Sequence, residues 1–338
     1  METMPAVQIH GVDDVRVDQV NVPEPGGGDV LVKVARGGIC GSDLGYIAQG
    51  GFMPPGVPMP LGHELSGTVE RVGRDVKKLA VGQRVTVNPM ANGHAIGNGG
   101  TEGGFAPLLL VKDVASHPGA IHLLPDSVGF EEGALIEPLA VAMHGINQSG
   151  IQAGDTALIM GAGPIGLCAL VGMRYRGIDK VVVVDRSAHR LALARELGAQ
   201  ATCRVGDDEL AATLKRLHGE SEVMGSPVPA TDVYLEATGA GPALLQAIEL
   251  ARINATVVVL GVHHAPIELH PLTLLIKELR LVGSMAYPGE YPEVIQMLES
   301  GAVDVAPLVS HSFPLEEFLD ALDTARDQER AGKVMIEC

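Results

Sequence analysis

The stretch Thr156-Ala-Leu-Ile-Met-Gly161-Ala-Gly-Pro-Ile-Gly166 decides the fold, because an apolar run of strand length enters a G-x-G-x-x-G turn and leaves it through Leu167-Cys-Ala-Leu-Val-Gly-Met173. Strand, glycine turn and a helix opening at Leu167 make the first half of a βαβ unit. The next apolar strand, Val181 to Val184, ends at Asp185, 19 residues beyond Gly166. Each element has a mechanical purpose. Gly161 permits the tight turn, Gly163 lets the backbone approach a pyrophosphate, and Gly166 allows close helix packing. The helix N-terminus offers unpaired N–H groups to the phosphates. A carboxylate at Asp185 accepts hydrogen bonds from the adenosine ribose and repels a 2′-phosphate, which points to NAD rather than NADP.

Outward from this motif, apolar strands at 156–160, 181–184, 232–235 and 256–260 alternate with helical stretches such as Ala188 to Leu197 and Asp207 to Leu217. That alternation predicts a parallel sheet. Upstream, from Val7 to Leu124, short alternating runs such as Val30-Leu-Val-Lys-Val34 and Ser66-Gly-Thr-Val-Glu-Arg-Val72 are punctuated by glycine and proline and read as all-β. Downstream lie two amphipathic helices, Glu290 to Glu299 and Pro314 to Arg326, and a strand Lys333 to Glu337. With no linker in sight, this tail is expected to return to the first unit. The predicted organisation is α/β: a β-rich domain of residues 1–147 and 284–338, and a doubly wound parallel-sheet domain of residues 148–283.

The 338 residues fit two domains of roughly 150. With 41 acidic against 24 basic side chains the net charge is −17 and no basic cluster occurs, which excludes a nucleic-acid partner. The uncharged run Thr156 to Met173 approaches membrane-span length, but four glycines and Pro164 break it into strand, turn and helix, so no membrane partner is expected. The start lacks a basic segment followed by an apolar one, so no secretory leader is expected. Cys40, Cys168, Cys203 and Cys338 are too scattered for a disulfide framework, and a cytoplasmic, reducing compartment is the expectation. Cys168 and Cys203 read as inert small hydrophobes.

Metal-ligating types concentrate in Gly38-Ile-Cys40-Gly-Ser42-Asp43, Gly62-His63-Glu64 and Ile136-Glu137-Pro138. Alone, Cys40 reads as a buried hydrophobe and His63 as a core histidine; together, thiolate, imidazole and carboxylate are a zinc-type set. The strings GGICGSDL (37–44), PLGHELSGTVERVG (60–73), EEGALIEPLAVAMHG (131–145) and GAGPIG (161–166) resemble, in order, those of the medium-chain zinc-dependent alcohol and polyol dehydrogenases. The Glu137-Pro-Leu-Ala-Val141 segment is similar to the sorbitol, L-idonate and 2,3-butanediol dehydrogenase branch, and Ile267 to Glu278 and Gly283 to Ile295 resemble butanediol dehydrogenases most. The resemblance implies a GroES-like catalytic domain closing over a Rossmann domain. It implies one catalytic Zn²⁺ and NAD, a small-molecule alcohol or polyol substrate, and a homo-oligomer, dimer or tetramer.

Carried over, Cys40 and His63 are zinc ligands, and Glu64 and Glu137 compete for the third position. Ser42 accepts the alcohol proton, Asp43 orients His63, and Tyr46 and Glu64 are placed to meet a second substrate hydroxyl. Gly161, Gly163, Pro164, Ile165, Gly166, Asp185, Arg190, Val262 and Ser284 face the cofactor. The sequence departs from the family twice. Many members bind a structural zinc through four cysteines in the stretch equivalent to Asn88 to Phe105, which here contains none, so no second zinc is expected. Where a proton-relaying histidine is common, this chain has Gly45, so the proton is expected to leave through water or through Glu64. His94 and Glu102 read as loop residues, His144 as packing, and His263 and His264 as non-catalytic. The leading reading is oxidation of a secondary alcohol in a diol, polyol or sugar acid. The alternatives are reduction of a ketone, acyloin or ketose by the same residues, and a zinc-free dinucleotide-binding sensor or quinone reductase.

Overall fold

Lys180-Val-Val-Val-Val-Asp185 carries four successive β-branched residues, all buried, as a strand covered on both faces requires. In the computed structural model, which describes residues 2–206, 209–327 and 329–338, this strand is second in a six-stranded sheet. The order is 201–204, 180–185, 156–160, 233–236, 256–259 and 280–283, every pair parallel. The chain runs outward in both directions from strand Thr156–Met160, so a crevice opens at its carboxyl end.

The helix after the glycine turn spans Pro164–Tyr175 and starts three residues before the expected Leu167. Gly163 is extended (φ −70°, ψ 176°), and Pro164 takes the first helical position, where its missing N–H loses no bond and its ring presets φ. The strand expected at 232–235 is Val233–Glu236; the Asp232 side chain instead accepts from Thr156 N and Oγ1, both at 2.7 Å. The neighbouring strand ends at Val259, one residue early. The helix expected from Asp207 is Leu210–His218 among the described residues, and its expected start lies outside them. Pro314 to Arg326 divides into a 3₁₀ turn, Leu315–Glu317, and a helix, Phe318–Arg326.

The β-rich part is built on strand Val30–Gly38, which pairs antiparallel with Glu64–Val72, with Leu108–Val111 and with the C-terminal strand Lys333–Glu337. The tail thus returns to the first sheet. Register matters here: Gly38 stands opposite Glu64 on one side and Met335 on the other, and Lys333 lies two residues from Met335 on the same face. Among the described residues, no helix is long and apolar enough to cross a membrane.

Candidate metal and dinucleotide centre

Cys40 is the extended residue before helix Gly41–Gln49, and its backbone N–H donates to Asp43 Oδ2 at 2.8 Å. The carboxylate reaching back to the cap fixes both the start of the helix and the aim of Asp43. Its other oxygen, Oδ1, lies 3.4 Å from His63 Nδ1; both atoms are buried and neither makes a proper hydrogen bond. His63 Nε2 lies 3.4 Å from Ser42 Oγ. Burial pushes the imidazole down, but Asp43 and Cys40 more than reverse this and hold it well above its ordinary value.

Among the described residues, ligand atoms of Cys40, His63 and Glu64 lie within 4.8 Å of one another. Glu64 is fully buried, and Lys333 Nζ donates to both its carboxylate oxygens at 2.6 Å and to Ile39 O at 3.1 Å. The Glu64 side chain passes over Gly38: a Cβ there would stand 2.1 Å from Glu64 Oε2, so only glycine fits. Burial alone lowers the Lys333 ammonium, and the Glu64 carboxylate overcomes that and leaves it above its ordinary value. The ammonium takes one lone pair of each Glu64 oxygen, and the carboxylate keeps the others for a metal.

Glu137, on helix Ile136–Ser149, stands outside that three-residue group, but its carboxyl feels both His63 and Glu64. Burial raises its pKa; His63 lowers it, Glu64 raises it, and a Tyr287 hydrogen bond lowers it, for a result of about 7. Tyr46 OH donates to Asn98 Oδ1 at 3.0 Å, which ties the glycine-rich loop to the cysteine-bearing helix. His94 pairs with Asp113 at 2.8 Å, and Glu102 pairs with Lys112, so both serve the loop itself. His144 is not apolar packing: its Nδ1 meets Glu290 Oε1 at 2.7 Å.

At the glycine turn, Gly161 has φ +101°, and a Cβ on Gly166 would lie 1.9 Å from Gly161 O. Ala162 N donates to Asp185 Oδ2 and Ser187 N to Asp185 Oδ1, each at 2.7 Å, so the carboxylate is held at the strand's end. Arg190 Nε donates to Ala331 O at 3.1 Å, crossing to the other sheet's tail beside Gly163. Burial lowers the Arg190 pKa, and Asp185 opposes the fall. Pro164 and Ile165 are half-buried at the helix start. Val262 is exposed past strand Thr256–Val259, and Ser284 N donates to Val259 O while its buried hydroxyl has no partner among the described residues. Among the described residues no two cysteines are joined by a disulfide.

Residues that sequence reasoning missed are Lys333 and Asn98, and it left Tyr287 without a role. The signal for Lys333 is a charge directly before the apolar run Val334-Met-Ile336.

Residues 26–122 match the alcohol dehydrogenase GroES-like domain family and residues 164–300 the zinc-binding dehydrogenase family. The chain is 35% identical to sorbitol dehydrogenase of Bos taurus, over 98% of this chain and 95% of that one. In structure it is similar to 2R,3R-butanediol dehydrogenase from Bacillus subtilis, with a TM-score of 0.87, 29% identity and 99% of each chain covered. It is likewise similar to an alcohol dehydrogenase from E. coli CFT073 complexed with NADH, with a TM-score of 0.87, 26% identity and 100% of each chain covered.

Proposed function

The chain belongs to the zinc-binding alcohol and polyol dehydrogenases, oxidoreductases acting on CH–OH donors, and from that premise we propose that it oxidises a secondary alcohol in a vicinal diol or polyol, of butanediol-like kind, with NAD⁺. The observation that carries this reading is the approach of ligand atoms of Cys40, His63 and Glu64 to within 4.8 Å of one another.

The donor set fits zinc: one sulfur, one imidazole and one carboxylate, with a fourth position left for substrate. We assign Cys40, His63 and Glu64 to hold it, with Glu137 facing them. The unpaired His63 Nδ1 beside Asp43 Oδ1 supports ligation through Nε2, because an acceptor on the far nitrogen fixes the tautomer and raises ligand basicity. Zinc, when bound, supplies Lewis acidity that makes the substrate hydroxyl more acidic. Ser42, beside His63 and partly exposed, receives that proton as it releases its own hydroxyl proton to solvent water. Lys333 cancels the Glu64 charge and leaves the thiolate and Glu137 to set the balance of the site. Asp185 takes the adenosine ribose, the 161–166 turn the pyrophosphate, and Val262 and Ser284 line the nicotinamide end.

We take residues 1–147 with 284–338 as the catalytic part and 148–283 as the dinucleotide part. Among the described residues strand Arg280–Gly283 is the edge of its sheet, and Leu275, Leu281 and Met285 beside it are exposed, which supports association of identical subunits there.

The test is an NAD⁺-reduction screen over butanediols, polyols, aldonates and simple alcohols, with elemental analysis of the same preparation. The expected result is one zinc per chain and a diol or polyol as best substrate. Ethanol or benzyl alcohol surpassing every diol, or full activity without zinc, overturns it.

A further inference from the structure

Glu236 is fully buried at the carboxyl end of strand Val233–Glu236, yet it belongs neither to the metal cluster nor to the glycine turn. Its carboxylate is saturated. Oε1 accepts Thr238 N at 2.6 Å, Gly239 N at 3.0 Å and the Thr238 hydroxyl, and Oε2 meets His263 Nε2 at 2.8 Å. Its backbone carbonyl accepts Leu260 N at 2.8 Å and Gly261 N at 2.9 Å. One residue therefore joins the loop after its own strand to the loop after strand Thr256–Val259.

These loops touch without slack. A Cβ on Gly239 would lie 2.4 Å from Val262 O, and one on Gly261 would lie 2.1 Å from Gly239 N. The first loop also abuts the dinucleotide turn, since a Cβ on Gly161 would fall 2.8 Å from Thr238 Cγ2. Among the described residues His263 is the only donor on Oε2, so without it a buried carboxylate oxygen loses its partner and the second loop loses its side-chain tie to the first.

We propose that Glu236 and His263 are a positioning pair that holds the Val262 backbone at the nicotinamide end of the cleft. The inference rests on the reading of that cleft as a nicotinamide site. His263 acts through the loop and touches no reacting atom. Its removal weakens the whole cofactor and spares a ligand that lacks the nicotinamide ring. Such a ligand, ADP-ribose, meets only the glycine turn and Asp185.

The experiment compares wild type with His263→Ala and His263→Gln, with bound NADH titrated by fluorescence, ADP-ribose by calorimetry, and kcat and KM for NAD⁺ measured separately. His263→Ala is expected to weaken NADH by about tenfold, the effect of one donor lost from a buried carboxylate. ADP-ribose should bind within about twofold of wild type, and KM should change more than kcat. His263→Gln should recover most of the loss, because its amide N–H reaches Oε2. Unchanged NADH binding in His263→Ala, equal weakening of ADP-ribose, or no recovery by glutamine overturns the proposal. Wild type that binds ADP-ribose but not NADH overturns the nicotinamide reading beneath it.

Discussion

Replacing Lys333 by methionine removes the ammonium that donates to Glu64 and keeps the stem's volume. The carboxylate is fully buried and spends both oxygens on that ammonium at 2.6 Å. Stranding one partner of a buried ion pair costs about 3–5 kcal/mol. Unfolding entropy of about 2.1 cal/mol/K per residue gives about 0.7 kcal/mol/K for 338 residues, so Tm should fall by about 4–7 °C. Because Lys333 titrates above its ordinary value in the folded chain, its contribution is complete at neutral pH and disappears only as pH rises through the folded value. Calorimetry at pH 7 therefore reads all of it. The measurement is made with chelator present, since a bound cation would replace the lost partner. The double variant Lys333→Met/Glu64→Gln leaves no charge stranded and should recover at least half of the fall. A fall under about 1 °C, or a double variant no more stable than the single one, refutes the reasoning.

Four further outcomes are expected. The Glu137 carboxyl, raised from 4.5 to about 7 mainly by burial, binds its proton more tightly folded than unfolded, so metal-free protein should lose stability as pH rises from about 4.5 through about 7. Tm against pH in chelator should show that decline, and Glu137→Gln should flatten it. Asp185→Ala, which removes the carboxylate beside exposed Arg186, should shift kcat/KM from NAD⁺ toward NADP⁺ by about 10²-fold, and an unchanged ratio places the ribose elsewhere. Ser42→Ala should cut kcat by about 10²-fold or more. Gly45→His, where a Cβ would meet nothing nearer than Gln49 Nε2 at 4.0 Å, should add a titrating group to the kcat–pH profile.

The glycine turn was legible because strand, turn, helix and Asp185 follow one another in a single βαβ unit, and spacing alone carries them. Even there the helix start moved from Leu167 to Pro164, because proline's fixed φ suits the first turn and periodicity does not register it. Cys40, His63, Glu64 and Glu137 were legible as residue types, and a zinc-type set is recognisable in any order. Tertiary structure decided what surrounds them. Glu64 meets an ammonium 269 positions away because strand Val30–Gly38 sits between strand Glu64–Val72 and strand Lys333–Glu337, and because Gly38 has no side chain to block the path. The link between Glu236 and His263 likewise follows from two parallel strands ending side by side. The sequence by itself determined the chemistry available to this chain. Which charges neutralise which, and which loops are tied together, depended on strand order and register, since hydrogen bonds and ion pairs act over a few ångströms of space whatever the separation along the chain.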